Sequence, residues 1–354
     1  MDLKKLRLKI DLIDRRIVDL LNERAMLTID IGHFKHRKGL SIYAPNREKE
    51  VYRKLGSLNK GPLGANALKE IYREIMSSAL NLEKPLKVAY LGPELTFTHL
   101  AALEKFGKSV SYEACKTITD VFNCVDKDRC DYGVVPIENS IEGAVNHTLD
   151  MFMNSELKIC AEAYLEISHN LMGRVTDRKK IKYVYSNPQV FGQCRSWLEA
   201  NLPNVMLRET HSTAEAAGIA ARDRRAACIA SQLAREKYGL KMIARSIEDA
   251  PHNVTRFLVI ANDMAEPTGS DKTSVMFSLK DRVGALHDIL TPFKKHRINL
   301  TKIESRPSKL MAWKYYFFVD LVGHVKNEKV TLTLKELEKA CAFLKVLGSY
   351  PTSE

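Results

Sequence analysis

Between Leu3 and Phe34 apolar side chains return at alternating steps of three and four: Leu3, Leu6, Ile10, Ile13, Ile17, Leu20, Leu27, Ile31 and Phe34. This is a heptad seam along one helix face, with Arg24 at one seam position. No Pro interrupts the run, so one helix over 3–38 is predicted, about 54 Å long at about 1.5 Å per residue. Pro45 opens a shorter helix, about 46–57, as a first-turn proline does. A Gly/Pro loop, Lys60-Gly61-Pro62-Leu63-Gly64, leads to a third, about 65–83. Three such helices do not enclose a seam of that length, so it is expected to find its partner in a second copy of the chain.

After Lys84-Pro85 the pattern changes to short apolar runs alternating with helical stretches. Lys87–Leu91, Tyr132–Pro136, Ile181–Tyr185, Ala226–Ala230 and Phe257–Ala261 read as strands, with another near 159–167. Helices are expected near 97–106, 119–126, 142–153, 189–200, 212–222 and 231–238. This is an α/β unit with enough strands for two lobes and a cleft. A second linker, Glu266-Pro267-Thr268-Gly269-Ser270, precedes strand (273–279), helix (285–296), two strands (299–304 and 314–322), helix (328–344) and a short final strand. That order is ferredoxin-like. The fold expected is therefore multidomain: all-α over 1–84, two-lobed α/β over 86–263, and α+β ferredoxin-like over 271–354.

The length of 354 residues agrees with two or three domains. The net charge of +12 suits an anionic partner, and much of the excess sits in the first 60 residues. No aromatic-basic stacking motif accompanies it, so nucleic acid is not expected. Seven cysteines at 115, 124, 130, 160, 194, 228 and 341 form no CxxC, which predicts reduced thiols in a cytosol, with neither disulfides nor zinc. No signal-peptide pattern opens the chain. No apolar run approaches the roughly 20 residues of a membrane helix, so no membrane partner is expected.

Polar residues cluster where strands end. Asn253-Val254-Thr255-Arg256-Phe257 puts a carboxamide, a hydroxyl and a guanidinium at the mouth of an apolar strand. Those groups orient a substrate, pass a proton and clamp a carboxylate. Gly92-Pro93-Glu94-Leu95-Thr96, Pro136-Ile137-Glu138-Asn139-Ser140-Ile141-Glu142-Gly143, Ser186-Asn187-Pro188-Gln189 with Gln193, and Ser212-Thr213 occupy comparable junctions. Capping alone explains the last pair. His169, beyond the strand near 159–167, reads as a structural histidine. In the helical segment Arg24, Lys35, Arg47, Glu48 and Glu83 put charge into an apolar bundle, as a register-setting network or a pocket for a small dianion.

Residues 6–83 resemble the all-helical chorismate mutases, matching at Arg7, Arg24, Lys35, Arg47, Glu48 and Glu83. The resemblance implies rearrangement of chorismate to prephenate, with Arg7 from a partner helix and Arg24 on the two carboxylates. Lys35 and Glu83 would flank the ether oxygen, Arg47 would support the pocket, and Glu48 would take the substrate hydroxyl. Ala44 and Ala79 stand where many members carry Asp and Ser. Glu83 stands where Gln is frequent. A Glu donates to the ether oxygen only when protonated, so mutase activity is expected to fall as pH rises.

Residues 86–262 resemble the prephenate dehydratase domain, which implies loss of CO2 and water from prephenate to give phenylpyruvate without a cofactor. By that resemblance Thr255 acts on the leaving hydroxyl, while Glu138, Asn139 and Gln193 orient the ring. Thr96, Ser140, Ser186, Ser212 and Thr213 line the cleft, and Arg256 either holds a carboxylate or is structural. Leu95 and Asn187 depart from a usual Gly and His, and Leu95 is expected to crowd its turn. In the last segment Asp281-Arg282-Val283-Gly284-Ala285-Leu286 and Glu304-Ser305-Arg306-Pro307 resemble the phenylalanine-binding motifs of regulatory ACT domains. Gly284, Ala285, Leu286, Glu304, Ser305, Arg306 and Pro307 would then bind phenylalanine as a feedback effector at a subunit interface. The chain is thus similar to bifunctional chorismate mutase/prephenate dehydratases, as a dimer or tetramer in the cytoplasm. The alternatives are a dehydratase whose helices only dimerise, and a non-catalytic amino-acid sensor.

Overall fold

The computed structural model describes residues 2–280, 282–307 and 315–353. The chain opens with α1 (Leu3–Lys38), α2 (Pro45–Leu58) and α3 (Ala65–Glu83). Asp2 caps α1 by accepting from the Lys4 N–H, and Gly39, at φ 63°, ends it in the left-handed conformation that glycine adopts without strain. Gly32 is where α1 crosses α3: a Cβ there would lie 2.9 Å from the Glu83 Cα. The seam predicted along α1 stays uncovered within one chain, with Leu3, Ile10, Ile13, Ile17, Leu20, Leu27, Ile31 and Phe34 all exposed.

The first lobe of the central region holds β1 (Lys87–Leu91), α4 (Phe97–Phe106), β2 (Ser111–Cys115), α5 (Ile118–Asp126), β3 (Tyr132–Asn139), β4 (Gly143–Ala144), α6 (Asn146–Asn154) and β5 (Lys158–Glu166). The chain then builds a second lobe from β6 (Asn170–Gly173), β7 (Tyr183–Ser186), α7 (Pro188–Gln193), α8 (Arg195–Asn201), β8 (Met206–Glu209), α9 (Thr213–Ala220), β9 (Ala226–Ala230), α10 (Gln232–Tyr238) and β10 (Lys241–Ala244). It returns to the first lobe as β11 (Val254–Ala261). The two sheets run β2-β1-β3-β11-β5, with β4 on β3, and β10-β6-β9-β7-β8. Two crossings therefore join the lobes, from β5 to β6 and from β10 to β11. Strands β2, β4, β6, β8 and β10 are not among those read from the sequence. β2, β8 and β10 lie at sheet edges, and none of the five exceeds five residues, too short for a period to stand out.

The last region is β12 (Asp271–Leu279), α11 (Ala285–Lys295), β13 (Leu300–Pro307), β14 (Tyr315–Val322), α12 (Glu328–Ala340) and β15 (Cys341–Pro351), with sheet order β13-β14-β12-β15. The helix expected over 328–344 stops at Ala340, and the short final strand is eleven residues long. Pairing along the whole of β12, from Leu279–Cys341 to Asp271–Pro351, outweighs the helical preference of 341–344. The helix expected over 189–200 breaks at Cys194 into α7 and α8.

Three interfaces hold the units together. Tyr43, ahead of α2, packs on Phe106 and Tyr132 of the first lobe, with ring centroids 4.9 and 5.5 Å away. Lys49 of α2 donates to the carbonyls of Ser270 and Thr352, at 3.1 Å each. One apolar core runs from Ile137, Phe152, Ile159 and Leu258 of the first lobe into Met276, Phe318, Leu347 and Tyr350 of the last region. Gly348 lies so close to the Ile159 backbone that no side chain fits there.

Candidate active sites

Register decides which side chains of β3 and β11 meet. Thr255 pairs with Asn139, and Arg256 with Glu138. Successive side chains on a strand point to opposite faces, so Asn139 and Thr255 share one face and Glu138 and Arg256 the other. On the first face Asn139 Nδ2 donates to Thr255 Oγ1 at 2.8 Å and to Asn253 Oδ1 at 2.7 Å. Asn139 Oδ1 accepts the N–H groups of Ile141 and Glu142, which fixes which end of the amide faces Thr255. The Thr255 hydroxyl thus accepts a hydrogen bond and, among the described residues, donates to none. Its proton is available to a ligand.

The second lobe completes this cluster. Gln193 Oε1 accepts from His169 Nε2 at 2.6 Å and from Asn253 Nδ2 at 3.3 Å, while Gln193 Nε2 donates to Glu142 at 2.7 Å. Gln189 donates to the same carboxylate. Glu142 and Asn253 thus bridge the lobes beside Thr255. The bonds to Gln193 set His169 as the Nε2–H tautomer, with a buried, unpartnered Nδ1. Burial lowers the His169 pKa below the ordinary imidazole value. His169, expected to be structural, belongs to this cluster. So does Asn253, which shares the period-two face of Thr255.

On the opposite face Arg256 takes the structural of its two expected roles, and the expected substrate contact of Glu138 is corrected. Arg256 is buried and pairs with Glu162 at 2.8 Å and Asp320 at 2.6 Å, and it donates to the Tyr350 hydroxyl at 2.9 Å. Burial opposes its charge, but Tyr350, Asp320 and Glu162 together hold its pKa above the ordinary value. Glu138 forms an ion pair with the Lys302 ammonium of β13 at 2.7 Å. Both residues face the last region.

Most of the expected cleft hydroxyls have local structural partners. Ser186 is fully buried and donates to the Ile229 carbonyl, so it does not line the cleft. Ser212 and Thr96 cap α9 and α4, and Thr213, the first residue of α9, is buried. Ser140 accepts from the Val254 N–H at 2.9 Å and holds the ends of β3 and β11 together. Leu95 takes φ 70°, which accounts for a usual Gly there. Its side chain does not crowd the turn as expected, because it is buried among Met172, Ala214 and Ala217 of the second lobe. Asn187 caps α7 through the Gln189 N–H.

In the helical segment Gly32 lets α3 approach α1 closely, and Lys35 Nζ reaches Glu83 at 2.8 Å and the Ile42 carbonyl at 2.6 Å. Arg24 is half-buried on the same helix. Arg7 lies seventeen residues away along unbroken α1, about 25 Å, and is exposed. Arg47 does not join this group: its guanidinium is exposed and pairs with Glu50 at 2.5 Å. Glu48 accepts from the Tyr43 hydroxyl at 2.6 Å and from Lys105 of α4 at 3.1 Å. Ala44 sits at the N-cap of α2 and supplies no capping bond, which an Asp there would. Ala79 is buried in α3.

In the last region Gly284 takes φ 79° at the start of α11, ahead of Ala285 and half-exposed Leu286. Asp281 lies outside the described residues. Glu304, Ser305 and Pro307 lie on edge strand β13. Arg306 is tied to Asp150 of α6 at 3.2 Å, which joins the last region to the first lobe.

These three arrangements coincide with three family models: chorismate mutase type II over 6–84, prephenate dehydratase over 88–265 and ACT domain over 273–339. The chain is 53% identical over 354 residues to the bifunctional chorismate mutase/prephenate dehydratase of Aquifex aeolicus, covering 99% of this chain and 98% of that protein. The chain belongs to the bifunctional chorismate mutase/prephenate dehydratase family. The Stutzerimonas stutzeri member is 44% identical over 355 residues, covering 99% of this chain and 97% of its own. The crystal structure of the Arthrobacter aurescens prephenate dehydratase in complex with L-Phe superposes with a TM-score of 0.69 at 33% identity, over 75% of this chain and 90% of that one. Membership in this family accounts for the helical, two-lobed and ferredoxin-like parts occurring in this order on one chain.

Proposed function

We propose that this enzyme converts chorismate to prephenate in its helical segment and prephenate to phenylpyruvate, CO2 and water in the two-lobed segment, with feedback inhibition by phenylalanine through the ACT domain. The working units are 1–84, 86–263 and 271–354. The observation that carries the dehydratase reading is the Asn139–Thr255 pair, in which the hydroxyl accepts from the amide and donates to no described residue. As the C–COO⁻ bond of prephenate breaks, its electrons enter the ring and the ring hydroxyl departs. Thr255 donates toward that hydroxyl, and the Asn139 amide, already bonded to Thr255 Oγ1, supports the oxygen as its proton moves. Solvent returns the proton to Thr255. Gln193, His169 and Asn253 hold the two lobes in register around the ring.

In the mutase half, Lys35 and Glu83 are the pair offered to the ether oxygen, and Arg24 the clamp for one carboxylate. Arg7 is too far along α1 to reach its own Arg24, so the second clamp comes from a partner copy lying on the exposed seam. This makes the working form a homo-oligomer with at least two chains. Gly284 to Leu286 and Glu304 to Pro307 are proposed to receive phenylalanine, with Arg306 held by Asp150 rather than free for the effector. No described helix is long and apolar enough to cross a membrane, and we assign the enzyme to the cytoplasm with its substrates.

The test is phenylpyruvate formation from chorismate and, separately, from prephenate, each with and without phenylalanine. Turnover of both, suppressed by phenylalanine, is expected. Turnover of prephenate alone would reduce the helices to a dimerisation arm. Turnover of neither would leave an amino-acid sensor.

A further inference from the structure

Three cysteines of the first lobe converge on one carboxylate, away from the Thr255 cluster. Cys115 ends β2, Cys124 lies in α5, and Cys130 follows the turn that leads into β3. The carboxylate is Glu113, also on β2. Cys124 Sγ lies 3.5 Å from one Glu113 oxygen and Cys130 Sγ 3.7 Å from the other, and the two sulfurs are 3.1 Å apart. One Glu113 oxygen and the sulfurs of Cys115 and Cys124 all lie within 4.8 Å of one another. Lys87 at the start of β1 pairs with Glu113. All three thiols are free and buried, and Glu113 is the part-exposed member through which an ion would enter.

We propose that Glu113, Cys115, Cys124 and Cys130 form a binding site for one soft divalent cation of the zinc class. Zinc–sulfur bonds of about 2.3 Å and zinc–oxygen bonds of about 2.0 Å in a tetrahedron set edges near 3.5 Å for S···O and near 3.8 Å for S···S. The Cys124 separation from one Glu113 oxygen, 3.5 Å, already matches, whereas Cys130 lies 3.7 Å from the other oxygen, so the carboxylate turns to present one oxygen to both sulfurs. The Cys124–Cys130 pair opens by about 0.7 Å to take the ion. Three thiolates and a carboxylate around a dication leave a charge of −2, and Lys87 offsets part of it. Thiolate donors select zinc-like ions over magnesium or calcium.

Only the thiolate form ligates, so binding expels the cysteine protons. The site bears on the neighbouring cleft loop through the backbone. The Cys115 carbonyl accepts the Gly92 N–H at 2.8 Å, where the chain enters the loop that ends at Thr96. A bound ion would pin that strand end. The spacing from 115 to 124 to 130 contains no CxxC; the β2–α5–β3 connection gathers the donors instead.

The experiment is titration of the reduced, metal-free full-length enzyme with Co2+ and Cd2+, followed by native mass spectrometry with Zn2+. One ion per chain, with tetrahedral cobalt bands and thiolate-to-cadmium absorption, is expected. Cys124→Ser and Cys130→Ser should each weaken binding and lower the thiolate absorption per bound ion by about a third, and Lys87→Met should weaken binding by roughly 10- to 100-fold. Cys341→Ser, altering a thiol of the ACT domain, should leave the spectrum unchanged. Absence of thiolate–metal absorption in the reduced wild-type enzyme would overturn the site, whether or not the variants fold. So would an unchanged spectrum and affinity in folded Cys124→Ser. No catalytic assay enters the readout, so the test is independent of the proposed activities.

Discussion

Thr255 accepts from Asn139 and keeps its own proton for a ligand, so removing the hydroxyl should be felt in turnover more than in binding. Thr255→Val is expected to lower kcat for prephenate by roughly 10²- to 10³-fold with little change in KM, while Thr255→Ser retains most of the rate. Steady-state phenylpyruvate formation reads both. His169 carries a pH prediction. Burial lowers its pKa, so the folded state resists a proton that the unfolded chain takes up near its ordinary value of about 6.5. Its contribution to stability is full above that value and is lost as pH falls toward the depressed folded pKa. Protonated Nδ1 would be a buried donor without an acceptor. Thermal melts from about pH 7 to pH 5 should show a decline in Tm that is shallower in His169→Gln. At this scale the period-two pleat, legible in Asn253-Val254-Thr255-Arg256, already separated Asn253 and Thr255 from Arg256. It could not say which face met the cleft, because that depends on where the ACT domain docks.

Helix α1 and its crossing with α3 are the element on which the mutase half depends. A methyl at Gly32 would press on the Glu83 backbone 2.9 Å away, and backbone does not move aside as a flexible side chain would. Gly32→Ala is expected to cost about 1–3 kcal/mol and to separate Lys35 from Glu83. Mutase turnover should fall steeply while prephenate turnover persists, a split that separate assays with the two substrates would reveal. The three N-terminal helices were legible in the sequence to within a residue or so at each end, because a heptad seam, an N1 proline and Gly/Pro breaks are local signals. The end of α12 was not. Residues 341–344 continue a helical composition, and only strand pairing with β12 pulls them into β15.

Across the whole molecule, the ACT domain and the first lobe share one apolar core and a buried ion network. Glu162 sits between Arg256 at 2.8 Å and Lys272 at 2.9 Å, and Arg256 also holds Asp320. Arg256 is adjacent in sequence to Thr255, so any shift of the ACT sheet acts one residue from the proposed proton donor. Arg256→Ala leaves Asp320 buried without its cation and should destabilise the chain by about 3–5 kcal/mol. In whatever fraction stays folded, phenylalanine should inhibit prephenate turnover less than in the wild type. Intact inhibition would place the coupling elsewhere, such as the Arg306–Asp150 pair. The seam of α1 carries the second prediction at this scale. Ile13→Asp with Ile17→Asp should shift sedimentation to a smaller species and abolish mutase activity, since Arg7 and Arg24 can meet only between copies. Prephenate turnover should survive.

The sequence by itself determined the order of three folds, the long amphipathic helix and the strand-end clusters, because hydrophobic period, caps and breakers act over a few residues. The tertiary structure alone decided the partners of the polar side chains. It turned Arg256 and Glu138 toward the ACT domain, brought Gln193, with His169 behind it, to Asn253 and Glu142, and gathered three dispersed cysteines around Glu113. Each of these depends on register between strands distant in the chain and on which faces of the sheet other domains cover. Such long-range pairings leave no periodic trace in the segments they join.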